Sequence, residues 1–158
     1  MTLEPCVLGV DPGLSGALAF YFPATPDRVI AEDVPCVNGR IDGTTLGRRI
    51  RQLAPTLAII ETVHSMPGQG VASMFKFGQA FGSVLGVIED QEIPSHLVAS
   101  GMWKRHFRLS ADKEASRDLA LRLFPATAEH FARKKHHGRA EAALIARYGA
   151  EIILRRPA

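Results

Sequence analysis

One short stretch near the start of the chain constrains the fold more than any other. Residues 7–10 form an apolar run that ends on Asp11 and is broken at once by Pro12 and Gly13. Such a run, partly β-branched, suits a strand that is buried on both faces of a sheet. Because proline cannot donate to a sheet ladder and glycine permits a tight bend, the strand must end or bend directly after the acid. Residues 16–22 then predict the returning arm of a hairpin.

Asp11 has two interpretations. It either caps the turn that it begins, or it is a metal ligand or a phosphate-site residue. The second interpretation follows from energetics, since a carboxylate in an apolar setting is costly to bury unless a positive group pairs with it.

A second apolar run also closes on a carboxylate. Residues 57–60 lead into Glu61, and the segment between the two runs contains a helix that is capped near Asp42 and extends to about Leu53. If the two strands are parallel neighbours in a strand–helix–strand crossover, Asp11 and Glu61 converge at one edge of the sheet. Convergent acids repel each other, so this arrangement favours a divalent cation between them.

The remaining patterns predict a third strand and a fifth strand, a long central helix and two further helices. The predicted spans are a strand at 28–35, a loop at 62–70, a helix over 73–90, a strand at 93–98, a turn or short helix at 102–107, a helix from Asp112, a linker at 126–135 and a last helix over roughly 138–154. The long helix carries Gly78, Gly82 and Gly86 on one face. Each helical glycine costs about 1 kcal/mol relative to alanine, so the three require close packing against a sheet or a second helix.

The net charge of +3 hides an asymmetry along the chain. Residues 1–100 hold six Lys/Arg and ten Asp/Glu, whereas residues 101–158 hold thirteen Lys/Arg and six Asp/Glu. This distribution indicates a polyanionic partner, with nucleic acid ahead of an anionic membrane, or equally a salt-bridged helical surface. The 158 residues suit one domain, 1–158, without a membrane span. Cys6 and Cys36 are interpreted as buried free thiols.

Four motifs in order resemble a RuvC-type Holliday junction resolvase of the ribonuclease H-like superfamily. They are the strand and turn at 9–13 with its hairpin, the strand at 59–61, the glycine-spaced helix, and the helix that opens Gly138-Arg139-Ala140-Glu141-Ala142. The likeness covers about residues 7–149. The segments 103–104, 113–117 and 124–125 are similar to phage-encoded and prophage-like members in particular.

The resemblance implies an α/β, ribonuclease H-like fold, with a five-stranded mixed sheet flanked by helices. It implies a cytoplasmic homodimer, paired through the glycine-spaced helix, that cleaves two opposed strands of a four-way DNA junction. Two Mg²⁺ ions, which Mn²⁺ can replace, would drive the hydrolysis. No nucleotide cofactor and no membrane enter this function.

The resemblance also assigns site residues. Asp11, Glu61 and Glu141 would hold the metals. His137 lies four residues before Glu141, so helical spacing places the two on one face of the last helix, either as part of the metal site or as an exposed helix pair. The predicted DNA-binding residues are Lys104, Arg105, Lys113, Arg117, Arg133, Lys134, Lys135, Arg139 and, as a wedge against bases, Phe75. Phe75, Phe77 and Phe81 suit the core better than DNA, and Trp103 suits either a backbone-binding turn or a buried indole.

One position departs from the family pattern. His136 stands where an acid is expected, although either His136 or His137 could ligate a metal or handle the proton of the attacking water. A neutral ligand in place of a carboxylate removes one negative charge, and Mg²⁺ prefers oxygen ligands. A weakened enzyme, a variant that prefers Mn²⁺, an altered protein and a junction-binding protein without efficient cleavage all stay open.

A third interpretation comes from another class. An acid-and-glycine strand turn also opens the ATP-binding folds of actin and the sugar kinases, so the chain could be a fragment of such a protein. That interpretation requires a second phosphate-binding hairpin and a much longer chain.

Overall fold

A mixed β-sheet forms the centre of the computed structural model, which describes residues 4–62, 64 and 66–155. The strands are β1 (Val7–Asp11), β2 (Ala17–Tyr21), β3 (Val29–Asp33), β4 (Cys36–Val37), β5 (Arg40–Ile41), β6 (Leu57–Glu61) and β7 (Ser95–Val98). Five of them form one sheet in the order β3-β2-β1-β6-β7, with β1–β2 and β2–β3 antiparallel and β1–β6 and β6–β7 parallel. The predicted five-stranded mixed sheet is confirmed. The hairpin β4–β5 stands apart from it and was not predicted.

Helices cover both faces of the sheet. They are α1 (Gly43–Leu53), α2 (Val71–Asp90), α3 (Ser100–His106), α4 (Lys113–Leu123) and α5 (His137–Gly149). Asp42 and Asp112 cap α1 and α4 through their side chains, as their positions predict. The predicted linker at 126–135 contains two 3₁₀ segments, and a π-helical turn extends α5 to Leu154. Val63 and Ser65 of the predicted loop at 62–70 lie outside the described residues.

Alternation along the strands divides the core into two parts. Val7 and Ile59 face one side of the sheet, where they pack with α5 and α4 in what we call the α5-side core. Leu8, Val10 and Ile60 face the other side and pack with α1 and α2. Since the central strands β1 and β6 are buried on both faces, they consist of apolar residues until the terminal acid.

A close helix–sheet contact lies at Gly9. A Cβ atom on Gly9 would overlap the Ala142 carbonyl oxygen and lie 2.8 Å from the Ala146 Cβ, so the backbone of α5 rests directly on β1. Alanines on α5 permit this approach because they add only one carbon atom to the helix surface. The contact sets the height of α5 above the sheet.

The glycine face of α2 has no neighbour within the described part of the chain. Gly78, Gly82 and Gly86 each have open space where a Cβ would stand, so the packing predicted for them is not made inside one chain. Ala80, Val84 and Ile88 face the sheet instead. With a mean hydropathy of 1.4, α2 is long and apolar enough to cross a membrane by length and composition alone. One such helix is weak evidence for a membrane span.

Three assignments to the core are corrected. Phe75 and Phe77 are exposed, as are all of residues 71–79 at the start of α2, and only Phe81 is partly buried. Cys36 is an exposed free thiol on β4, whereas Cys6 is buried.

We expect Gly9→Ala to destabilise the protein by about 1–3 kcal/mol or more, because the added methyl group must push α5 off β1. Urea unfolding measures the loss. The matched control is Gly101→Ala in α3, where a Cβ meets open space and the free energy of unfolding should change by less than about 1 kcal/mol. Equal stability of the two variants would contradict the contact.

Candidate active site

Three carboxylates meet at one edge of the sheet. The parallel register pairs Val10 with Ile60, so Asp11 and Glu61 follow at the same end of adjacent strands, as predicted. Glu141 is the residue before Ala142, which packs over Gly9, and it points to the same edge from α5. Gly138 lies beside Asp11 as well, since its Cβ would stand 3.4 Å from the Asp11 Oδ2.

The electrostatics of Asp11 reflect this convergence. Burial raises the pKa of Asp11 well above its usual range, and the carboxylates of Glu141 and Glu61 raise it further. Lys113 and Lys104 act in the opposite direction, and the carboxyl group is only partly compensated. Partial burial and, after it, like charge thus both disfavour the ionised form of Asp11, and a bound cation would stabilise that form.

Glu61 has a partner that the sequence pattern did not identify. The indole Nε1–H of Trp103 donates a hydrogen bond of 2.6 Å to the Glu61 Oε2. Trp103 is fully buried, so the interpretation as a buried indole is the one that the structure supports. Burial raises the pKa of Glu61, the Trp103 hydrogen bond lowers it, and the Glu141 charge raises it again. The one feature of the sequence that could have indicated this contact is the position of Trp103 in a short helix directly after a predicted strand.

Lysines line the same site. Lys104 lies 3.9 Å from the Glu141 Oε1, and its ammonium group stands 5.3 Å from the centre of the Trp103 ring. Lys113 lines the cavity that opens on Asp11, together with Lys76 from α2. Lys76 was not predicted, because a lysine in the exposed first turns of a helix carries no local signal of function.

Two cavities adjoin Asp11. One of about 360 Å³ is lined by Asp11, His137, Glu141 and the two lysines. A second, of about 290 Å³, is lined by Asp11, Glu61 and His64. Phe77 also lines both cavities, so its partly exposed ring borders the site and is not part of the core.

The two histidines are placed differently. His137 lines the larger cavity with the acids. His136 is buried and lines neither cavity, and its Nδ1 accepts a 3.2 Å hydrogen bond from the Arg133 backbone N–H. Burial lowers the pKa of His136, and the charge of Arg139 lowers it further. The structure thus brings His137 to the acids and gives His136 a local role at the start of α5.

The predicted DNA-binding residues fall into two groups. Arg139 is held by Asp33 through two hydrogen bonds of 2.8 and 3.1 Å, and Arg117 is held by Glu114 and the carbonyl oxygen of Phe131. The side chains of the others are at least partly exposed, and they lie on α2, α3 and α4 and at the 3₁₀ turn before α5. They are Lys104, Arg105, Lys113, Arg133, Lys134, Lys135 and Phe75, of which Phe75 is 72% exposed.

The donor set suits a hard divalent cation. Three carboxylates and an imidazole face one edge, and Mg²⁺ and Mn²⁺ favour oxygen-rich sites with few protein ligands. In the described residues no three His, Cys, Asp or Glu side chains stand close enough together to enclose an ion.

Solved structures share this architecture. Thermus thermophilus RuvC in complex with a Holliday junction substrate superposes with a TM-score of 0.70 at 16% identity, over 98% of this chain and 99% of that one. The chain has the fold of the RuvC-type Holliday junction resolvases. The ribonuclease H-like prediction is thereby confirmed for the fold, and the likeness to phage and prophage members stays a prediction.

Other resolvases have the same fold. The fowlpox virus resolvase, solved with substrate Holliday junction DNA, gives a TM-score of 0.58 at 14% identity, over 92% of this chain and 98% of that one. The yeast mitochondrial Holliday junction resolvase gives 0.55 at 15% identity, over 92% and 78%. No protein-family model matches the sequence, and neither does any curated protein.

The raised pKa of Asp11 predicts a pH-dependent cost in stability. Because the folded chain holds this proton more tightly than the unfolded chain, the free energy of unfolding falls as the pH rises from the ordinary value of 3.8 through the raised one. Asp11→Asn removes the charge. With a chelator present to remove metal ions, we expect the variant to have a higher free energy of unfolding than the parent at about pH 7–8. This difference should shrink toward about pH 4. Urea unfolding across this range measures it.

The control for this measurement is Asp118→Asn, which changes an exposed aspartate on α4. The free energy of unfolding of this control should stay close to that of the parent at every pH. If the difference in the free energy of unfolding between Asp11→Asn and the parent does not vary with pH, the ionisation of Asp11 is not its cause.

Proposed function

We propose that this chain is an endonuclease that cleaves four-way DNA junctions by metal-dependent hydrolysis of phosphodiesters. The proposal is supported above all by the convergence of Asp11, Glu61 and Glu141 at one sheet edge in a chain with the resolvase fold. Thermus RuvC and the fowlpox enzyme were both solved with Holliday junction DNA, which is the substrate class that we assign to this chain.

The residues proposed to hold divalent cations are Asp11, Glu61, Glu141 and His137. Two bound Mg²⁺ ions, or Mn²⁺ in their place, would supply a hydroxide at neutral pH and charge stabilisation for the leaving oxygen. Asp11 lines both cavities, so it is the residue proposed to face both ions. His137 adds an imidazole in the larger cavity, a group that can take up the proton of the attacking water.

The remaining residues act on the DNA backbone. Lys113 and Lys76 line the cavity beside Asp11 and can hold the phosphate that approaches it, while exposed Arg133, Lys134 and Lys135 extend the positive surface along α5. Phe75 stands free at the start of α2, where an apolar side chain can wedge between base pairs. Arg139 and Arg117 join this group only if DNA displaces their carboxylate partners.

A junction-binding protein without efficient cleavage is the weaker alternative. Its basis was His136 in place of an acid within the metal site. Since His136 lines neither cavity and bonds to the backbone of Arg133, the residue gives no reason for a weakened site. The three carboxylates that hydrolysis requires are all present.

The chain is further proposed to act as one nuclease domain over 1–158, in the cytoplasm, and as a homodimer. A four-way junction offers two opposed strands for cleavage, which two copies related by a two-fold axis can reach together. The proposed dimer contact is the exposed face of α2 with Gly78, Gly82 and Gly86, since glycines allow a second helix to approach closely.

The decisive experiment is cleavage of a synthetic four-way junction and of a linear duplex of the same sequence, with and without Mg²⁺ or Mn²⁺. We expect Asp11→Asn to bind the junction like the parent and to leave it uncut, because affinity comes from Lys and Arg and catalysis from the metals. Asp118→Asn should cut normally. Cleavage by Asp11→Asn at the parental rate would overturn the assignment of Asp11.

The dimer is tested with Gly82→Leu. A Cβ at this position meets open space in a single chain, so the variant should keep its thermal stability while its dimer dissociates at least about tenfold more readily, since a 1.4 kcal/mol loss corresponds to that factor. Sedimentation velocity measures the dissociation. Asp118→Leu adds the same side chain to a helix on the opposite side of the sheet and should leave the dimer intact.

A further inference from the structure

A buried hydrogen bond ties α3 to the acid at the end of β6. The ring of Trp103 is fully buried in the α5-side core, and its Nε1–H reaches the Glu61 Oε2 at 2.6 Å. An indole N–H only donates and cannot ligate a metal, and a buried one needs an acceptor. The core therefore fixes the ring, and the ring in turn fixes one oxygen of the carboxylate.

The topology explains why this pair forms. β7 runs parallel to β6, with Val98 opposite Glu61, and α3 begins two residues later at Ser100. Trp103 thus lies about one helical turn after the start of α3, close enough to the end of β6 to reach Glu61. The next residue, Lys104, reaches Glu141, so α3 contacts two of the three acids of the site.

We propose that Trp103 is a positioning residue that orients the Glu61 carboxylate so that its other oxygen, Oε1, binds a divalent cation. This inference rests on the proposed function, because it assigns the way in which Glu61 takes part in that site. Trp103 itself touches neither metal nor DNA in this arrangement.

Two physical effects support this role. A glutamate side chain has three rotatable bonds, and the fixed hydrogen bond removes most of that freedom before a cation arrives. A hydrogen bond donated to one carboxylate oxygen also favours the ionised form of the group, which is the form that binds a cation. Partners that orient metal ligands in this way typically contribute 10–100-fold to metal affinity.

The chain allows a clean test because Trp103 is its one tryptophan. Global replacement of tryptophan by 3-benzothienylalanine changes this position alone: the ring keeps nearly the same shape, and sulfur takes the place of the N–H group. Trp103→Phe is a second variant that also loses the donor. Phe124→Leu, in the same buried core, is the control for a packing defect that leaves the hydrogen bond in place.

The measurement is Mn²⁺ binding to the full chain without DNA, followed by the electron paramagnetic resonance signal of the free ion. We expect both donor-free proteins to bind Mn²⁺ about 10–100-fold more weakly than the parent. Phe124→Leu should lower the melting temperature yet bind within about twofold of the parent. Glu61→Gln, which retains an acceptor for the indole but no charge, should fold normally and lose at least as much affinity as the analogue.

Junction cleavage measured in parallel separates the two proposals. A folded analogue protein that binds Mn²⁺ within about twofold of the parent overturns the positioning role, even if the parent cleaves junctions. A parent that cleaves no junction, combined with weaker Mn²⁺ binding in the analogue, overturns the proposed nuclease and supports the role of Trp103. A parent that binds no Mn²⁺ at millimolar concentration overturns the metal site and the positioning role together.

Discussion

The contact between the backbone of α5 and β1 at Gly9 is the constraint on which the site depends. A helix can approach a strand this closely only where the strand has no side chain and the helix has alanines, and Gly9 meets Ala142 and Ala146 in that way. Since Asp11 comes two residues after Gly9, and Glu141 directly before Ala142, the same contact brings two acids together. Fold and site thus share one packing interaction.

The resulting cluster of acids costs the protein stability. Asp11 is half-buried beside Glu141 and Glu61, and two lysines offset only part of the shift in its pKa. A chain selected for stability alone would place an apolar residue at the end of β1, as it does along the rest of the strand. The placement of carboxylates where ionisation is disfavoured is the physical basis of the cation site that we propose.

Much of this could be predicted from local patterns. The apolar runs that end on an acid predict strands β1 and β6. The capping residues Asp42 and Asp112 predict the starts of two helices. The convergence of Asp11 and Glu61 follows from a parallel crossover. The exposure of Phe77 was missed, because an aromatic residue in an apolar helix does not by itself show whether that turn of the helix is covered.

The sequence by itself determined most of the order of elements and the carboxylates that end β1 and β6, since strand periodicity and strand-ending residues are local properties. The mixed five-stranded sheet was implied by the family resemblance. Only the tertiary structure decided which side chains share a cavity. It set His137 beside the acids and His136 against the Arg133 backbone, although the two are adjacent in sequence. It also joined Trp103 to Glu61 across 42 residues. Such contacts depend on the rotation of a helix and the length of a connection, and neither is encoded by the residues that meet.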